Sequence, residues 1–481
     1  MLGASRLSEE ALGYKGLRHE TLQDTVLATI INAKVRRLRK IEDEFIKLDN
    51  HRMTGRFSLY KAVAKPGRSY ILECKQSSPS LGDFCKNFSL DALIEQYKKY
   101  ARAISVLCEQ DYFKGDITYL SYVKHRVNLP IICKDFIICK RQIDLAKRAG
   151  ADALLLMLSV LGDDLFMELY EYAKENKLEV LTEVSDENEA AFAREHRLPL
   201  VGINNRNLKT LTIDFGTTAR LAPLFEGTET LVISESGIKT HDDIISLKGV
   251  DGYLVGSSLC ADIDNLNFNL KGLLFGFNKV CGIKDPDVLQ HVIDDNLCFA
   301  GFIFYPKSPR YISVDNARAL IRSERFRGKI KFVGVFVDES LVDIAKDIVT
   351  LKLEYVQLHG HEDISYIKAL KDHFPKLKII KAISVENEAS LSTADDYAKV
   401  CDYLLLDSKN AGQNTSFEHS LLDSYKYAGK TLLAGGINKD NFKSAFEHHL
   451  AGVDLNSSLE REKGVKDCGL IDETLAVINA Y

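Results

Sequence analysis

The stretch that decides the fold is Asn278-Lys279-Val280-Cys281-Gly282-Ile283, written NKVCGI, a short apolar run closed by a cysteine and a glycine. Alone it reads as a buried strand, and its cysteine as a small core hydrophobe. The residues before it change that reading. Short apolar runs, each followed by a charged amphipathic stretch, begin near 70 (YILECK), 103 (AISVLC), 130 (PIICKD), 152 (DALLLM), 178 (LEVLTEV), 200 (LVGINN), 230 (TLVISES) and 251 (DGYLVG). NKVCGI restarts the series, and runs follow it at 299 (FAGFIF), 329 (KIKFVGVFV), 353 (LEYVQLHG), 377 (LKIIKAI), 401 (CDYLLLD), 430 (KTLLAGGI) and 452 (GVDLNS).

Near-continuous apolar strands alternating with amphipathic helices predict a parallel sheet covered by helices. Eight such units in roughly 250 residues predict a closed barrel. The fold class is therefore α/β, two fused (β/α)8 TIM barrels. The first has an N-terminal helical extension, because residues 20–60 place apolar positions at helical spacing, as in LQDTVLATIINAKV. An open doubly wound sheet is the competing topology, but neither series shows GxGxxG after its first strand. The domains are assigned as residues 1–271 and 272–481, since DIDNLNFNLKGLLFG supplies a closing helix rather than a flexible linker.

With 46% hydrophobic and 27% charged residues, the 481-residue chain is globular and long enough for two cores. A net charge of -5 gives no general attraction to nucleic acid or anionic membrane. The N-terminus MLGASRLSEE lacks a leader pattern, and no apolar run reaches the length of a membrane span. A cytoplasmic protein, monomeric and acting on small molecules, is expected. The ten cysteines show no CxxC pair and no Cys/His cluster at zinc spacing, so no metal, cofactor or disulfide is called for.

In a (β/α)8 barrel the chemistry gathers at the C-terminal ends of the strands. In the first series those ends hold Glu73 and Lys75, Lys134 and Asp135, Glu183, Asn204 and Arg206, and Glu235 with Ser236. Each alone is as easily a solvated loop charge, but the set points to acid–base work. Lys134, flanked by PIIC and DF, is expected to be a proton donor of lowered pKa. SESG at 234–237 and VGSSL at 255–259 follow strands seven and eight, where glycines and a helix N-terminus suit a phosphate. The second series repeats this with AGGI at 434–437 and NSS at 456–458, and its other strand ends carry Cys281, Arg310, Gln357, His359 and Asp407.

At these residues the chain resembles a known pair of families. Its first part resembles indole-3-glycerol phosphate synthase through ILECKQSSPSLG, ISVLCEQDYFKG, CKDFI, LLMLSVL, LTEV, VGINNRNL, ISESGI and GYLVGSSL. Its second part resembles phosphoribosylanthranilate isomerase through NKVCGI, SPR, VGVF, VQLHG, LLLD, LLAGGI and DLNSSLE followed by GVKD. The resemblance implies a bifunctional enzyme of tryptophan biosynthesis. The second barrel would convert N-(5-phosphoribosyl)anthranilate to 1-(2-carboxyphenylamino)-1-deoxyribulose 5-phosphate, and the first would close that product to indole-3-glycerol phosphate with loss of CO2 and water.

For the synthase the resemblance implies Lys134 as general acid, Glu183 as main base and Lys75 in the later dehydration, without settling which lysine serves each step. Glu73, Asn204 and Ser236 would orient them. Phe113 and Phe136 would wall the anthranilate ring, Arg206 would hold its carboxylate, and Ser78, Gly237, Gly256 and Ser257 would meet the phosphate. For the isomerase it implies Asp407 as acid and the Cys281 thiolate as base, whose ordinary pKa lies near enough to neutrality for modest tuning. Arg310 would contact the carboxylate, Gln357 and His359 would line the substrate, and Gly436, Ser457 and Ser458 would cradle phosphate.

The chain departs from the pattern at Ala411-Gly412-Gln413-Asn414, where the family has a glycine-rich loop, and at Phe417-Glu418-His419, Lys463 and Leu81. The first departure supports an alternative, an active synthase with an impaired or purely structural isomerase barrel.

Overall fold

The computed structural model describes residues 17, 25–48, 57–208, 210–408, 419–423 and 425–481. The loop 411–414 lies outside the described residues. The rest falls into two compact units, one running to Lys239 and including Ser246–Leu266, the other comprising Thr240–Ile245 and Asn267–Tyr481. This division places the helix Leu266–Phe275 almost wholly with the second unit, a few residues earlier than the boundary read from sequence.

In the first unit β1 (Ser69–Cys74), β2 (Ala103–Leu107), β3 (Ile131–Lys134), β4 (Ala153–Met157), β5 (Glu179–Val184), β6 (Leu200–Asn204), β7 (Leu231–Glu235) and β8 (Gly252–Val255) close a barrel in chain order. All pairs are parallel, and β8 returns to β1 with Ser69 opposite Gly252 and Leu72 opposite Val255. A Cβ on Gly252 would stand 2.9 Å from the Ser69 carbonyl oxygen, so closure requires glycine there. Every residue of β1, β2 and β4 is buried, which is why these strands read as unbroken apolar runs.

The N-terminal extension contributes the helix Val26–Leu38, capped by the Thr25 hydroxyl, which accepts from the Ala28 N–H. Its inward face presents Leu27, Ile30 and Lys34, and Lys34 pairs with Asp135 at 2.6 Å. A second tie is deeper. Lys124 reaches Asp152 at 2.6 Å, and the Asp152 carboxylate also accepts from the N–H groups of Ile131 and Phe57, both at 3.0 Å.

In the second unit β9 (Lys279–Cys281), β10 (Phe299–Ile303), β11 (Lys331–Phe336), β12 (Tyr355–Leu358), β13 (Lys378–Val385), β14 (Tyr403–Ser408), β15 (Thr431–Leu433) and β16 (Gly452–Leu455) close a second parallel barrel. A small antiparallel hairpin, β17 (Glu460–Glu462) with β18 (Val465–Lys466), follows the last strand. The floor of this barrel is aromatic. Phe299 is fully buried, with ring centroids of Phe268 and Tyr355 at 5.2 Å and Tyr403 at 5.9 Å. Strand alternation then lifts inward positions upward from that floor, through Tyr355, Gln357 and His359 on one side and Tyr403, Leu405 and Asp407 on another.

Phe299→Ala removes the centre of this floor and should destabilise the second barrel by about 3–5 kcal/mol. Denaturant unfolding monitored by near-ultraviolet circular dichroism measures it.

Candidate active sites

At the C-terminal ends of β1–β8 a cavity of about 270 Å³ opens. Into it come Glu73, Lys75, Ser78, Phe113, Lys134, Phe136, Glu183, Asn204, Arg206, Ser236, Gly237, Gly256 and Ser257, so the thirteen first-barrel residues singled out in sequence share one chamber. Val26, Leu27 and Ile30 of the N-terminal helix form an apolar wall. A larger cleft of about 980 Å³ lies elsewhere, lined by Lys174, Glu179, Arg194 and Arg197 among others, and gathers none of these groups.

The charges in the chamber are tightly linked. Lys75 pairs with Glu73 at 2.6 Å. Lys134 lies 3.6 Å from Glu183 and makes a short hydrogen bond to Glu235. Asn204 donates to Glu183 at 2.9 Å and accepts the Arg206 N–H at 2.9 Å. Burial works to lower the Lys134 pKa, but Glu235, Glu183 and Glu73 outweigh it and the pKa is raised. The expectation of a lowered value is thus corrected. Three carboxylates facing one ammonium keep it charged. Arg206 is half-buried and hydrogen-bonds the Leu211 carbonyl at 2.9 Å, and among the described residues no carboxylate pairs with it.

Glu235, noted at its strand end in the sequence but not selected as a site residue, also lines this chamber. Burial pushes its pKa up to about 7, Glu183 and Glu73 push the same way, and Lys134 opposes them. One of its oxygens, Oε1, is buried without a hydrogen-bond partner. β6 has Gly202 beside that oxygen, where a Cβ would lie 2.0 Å away and force the carboxylate to shift. Gly256 makes room for Glu73 in the same way, at 2.5 Å. Glu109 was also missed. Fully buried, it accepts the N–H groups of Asp111, Tyr112 and Phe113 at 2.8–3.0 Å, and so shapes the loop that brings Phe113 within 6.2 Å of Phe136, centroid to centroid. An acidic residue at the end of an apolar strand was the available signal for both.

In the second barrel Cys281 ends β9 and Asp407 stands near the end of β14, three strands further round. Asp407 lies 3.7 Å from His359 Nε2, and His359 Nδ1 lies 2.8 Å from the Gln357 amide. Burial, with Lys279 and Lys381 adding to it, lowers the His359 pKa to about 4, so the imidazole is neutral. Gln357 is almost wholly buried beneath His359 and supports it. Burial pushes the Cys281 thiol up while Lys279 pulls it back. Arg310 forms a two-pronged pair with Glu460 at 2.7 and 2.8 Å, so its guanidinium is already engaged by hairpin β17–β18.

The predicted phosphate loops have the same construction in both barrels. After β7, Ser236 and Gly237 take φ of 69° and 90°; after β15, Gly435 and Gly436 take 83° and 72°. A serine held in the left-handed region is strained, a feature that clusters at functional sites. After β8 and β16, Gly256 and Asn456 share φ near −140° ahead of short helical turns starting at Ser257 and Ser457. Ser258 donates to the Ile238 carbonyl at 3.0 Å and Ser458 to the Ile437 carbonyl at 2.6 Å, so the Ser458 hydroxyl ties one loop to the other.

Two (β/α)8 barrels, each with acid–base groups inside its C-terminal rim and glycine-bearing loops after its last two strands, define acid–base enzymes of phosphorylated small molecules. Residues 27–271 match the family model of indole-3-glycerol phosphate synthase, and residues 278–477 match that of N-(5'-phosphoribosyl)anthranilate isomerase. The chain is 38% identical over 461 residues to the tryptophan biosynthesis protein TrpCF of Salmonella typhi, covering 95% of this chain and 100% of that protein. It is also 38% identical over 423 residues to TrpCF of Helicobacter pylori, covering 88% and 92%. The crystal structure of phosphoribosyl anthranilate isomerase from Thermotoga maritima is 31% identical, covers 42% of this chain and 97% of that one, and has a TM-score of 0.38. The chain belongs to the bifunctional indole-3-glycerol phosphate synthase and phosphoribosylanthranilate isomerase family, and it is an enzyme with both activities.

With Glu235 titrating at about 7, the synthase kcat/KM should fall as the pH drops through that value, because a protonated Glu235 no longer anchors Lys134. In Glu235→Gln that limb should vanish and kcat should fall roughly tenfold or more. A pH–rate profile of both proteins with the ketose substrate checks this.

Proposed function

We propose that the two sites act in sequence in tryptophan biosynthesis, the isomerase supplying the synthase, and that the residues converging in each barrel do the proton transfers. The observation that carries the reading is the convergence of Lys134 with Glu183 and Glu235 in one barrel, with the Asp407–His359 pair and Cys281 both at strand ends of the other.

In the isomerase, Asp407 gives its proton to the ribose ring oxygen as the C1–O bond breaks and an iminium forms. The Cys281 thiolate then takes the C2 proton; an S–H bond forms, and the C–H electron pair neutralises the iminium to give the enol of the aminoketose. Neutral His359 beside Asp407 adds no second positive charge there. Arg310, steadied by Glu460, faces the anthranilate carboxylate, and Gly436, Ser457 and Ser458 border the phosphate.

In the synthase, Phe113 and Phe136 wall the anthranilate ring while Arg206 holds its carboxylate. The Lys134 ammonium meets the ketone oxygen and protonates it as the ring carbon attacks; a cation held charged by three carboxylates suits an oxygen that gains negative charge. Loss of CO2 restores the electrons to the ring, and Glu183, with Lys75 paired to Glu73, handles the departure of water. The phosphate lies against Ser78, Gly237, Gly256 and Ser257. The reading takes the chain as a cytoplasmic monomer. The loop that motivated the alternative of an idle isomerase, 411–414, lies outside the described residues.

Purified protein given phosphoribosylanthranilate should form first the ketose and then indole-3-glycerol phosphate. Lys134→Met should cut ring closure by about 10²–10⁴-fold, and Cys281→Ala or Asp407→Asn should cut isomerisation by a similar factor. Each half-reaction is followed separately, by ketose consumption and by indole formation. Undiminished isomerisation in Cys281→Ala would overturn the assignment of the base.

A further inference from the structure

Inside the second barrel a fully buried lysine stands next to Cys281 and has no part in the proton transfers above. Lys279 precedes Cys281 by two residues on β9, so both side chains point inward. Its Nζ lies 2.7 Å from Asp454 Oδ2 on β16, and its charge favours the ionised form of the neighbouring Cys281 sulfur. Gly301 of β10 is in register with Cys281. A Cβ on Gly301 would come within 2.9 Å of Cys281 Sγ and 3.1 Å of Lys279 Cε. The backbone is thinned where the two side chains meet.

Comparison with the buried pair of the first barrel separates this arrangement from an ordinary structural ion pair. Asp152 engages Lys124 through both oxygens and takes two backbone N–H groups as well. Asp454 meets Lys279 through one oxygen only, and its Oδ1 is buried with no partner. An isolated ion pair in so enclosed a place is costly, and well-packed apolar side chains would serve stability as well or better. The lysine instead lies beside a sulfur.

We propose that Lys279, anchored by Asp454, is a positioning residue that offsets the cost of burial and so favours formation of the Cys281 thiolate facing the substrate. The inference rests on Cys281 being the isomerase base. The other charged groups around the sulfur leave this role to Lys279. Lys466 of β18 adds positive potential but is tied to Glu460 at 2.9 Å and to the Asn456 carbonyl at 2.7 Å. Arg310 is balanced by Glu460, and His359 is neutral. Asp454 works against the thiolate, and Lys279, whose Cε meets the sulfur beside Gly301, outweighs it.

The thiolate ultraviolet absorbance of the full chain, taken as the difference from Cys281→Ala, titrates Cys281 without substrate or turnover. Lys279→Met should move the midpoint up by about one unit or more, a tenfold loss of thiolate at a given pH on the acid side. The isomerase kcat/KM should fall by a similar factor at neutral pH and recover as the pH rises. Asp454→Asn, which keeps the side-chain volume, should move the midpoint down, because the ammonium is left with the sulfur as its anionic partner. This second variant carries the test where Lys279→Met does not fold, as judged by circular dichroism. A midpoint unmoved in either folded variant, or moved the same way in both, overturns the proposal. Full isomerase activity in Cys281→Ala would instead overturn the reading of the base and leave the titration result standing.

Discussion

Closure of a parallel sheet on itself is the constraint from which the rest of this protein follows. Once β8 pairs with β1 and β16 with β9, an inward side chain can be answered only by side chains from other strands. Water cannot balance a charge placed deep in such an interior, so an inward lysine or glutamate must find its partner across the barrel or change its protonation. Both barrels use this confinement. In the first, Glu73, Glu183 and Glu235 crowd two lysines; in the second, Asp454 and Cys281 share one.

Space for those charges comes from glycine. Gly202 accommodates Glu235, Gly256 accommodates Glu73, and Gly301 accommodates the meeting of Lys279 with Cys281. Each sits on or at the end of a strand where a larger residue would add apolar packing, so the barrel gives up some core volume at three points to seat polar groups. The aromatic floor around Phe299 compensates in the second barrel by sealing its lower end with large rings.

The strands were legible because they are buried on both faces, and the loops because glycine and serine recur at fixed places after the seventh and eighth strands. The charged residues that share the first barrel's chamber were legible as polar residues at strand ends. Their electrical state was not. Lys134 looked like an amine whose burial would ease proton loss, yet its pKa is raised, because Glu235 lies 101 residues away in sequence and next to it in space. Glu235 was passed over for the same reason, since nothing beside it in the chain marks it as the partner of Lys134. The hairpin β17–β18 was too short for its pattern to register, and with it went the pairing of Glu460 to Arg310 across 150 positions.

By itself, then, the sequence determined the two eightfold strand series, the restart at NKVCGI, the position of the glycine- and serine-bearing loops and the family resemblance, all of which reside in local spacing and short motifs. Only the tertiary structure decided which charges face one another: Lys134 with Glu235, Arg310 with Glu460, and Lys279 with Asp454 over 175 positions. The reason is physical. Apolar periodicity is written along the chain, whereas the field at a buried group is a sum over neighbours brought in from separate strands, and that sum exists only once the barrel has closed.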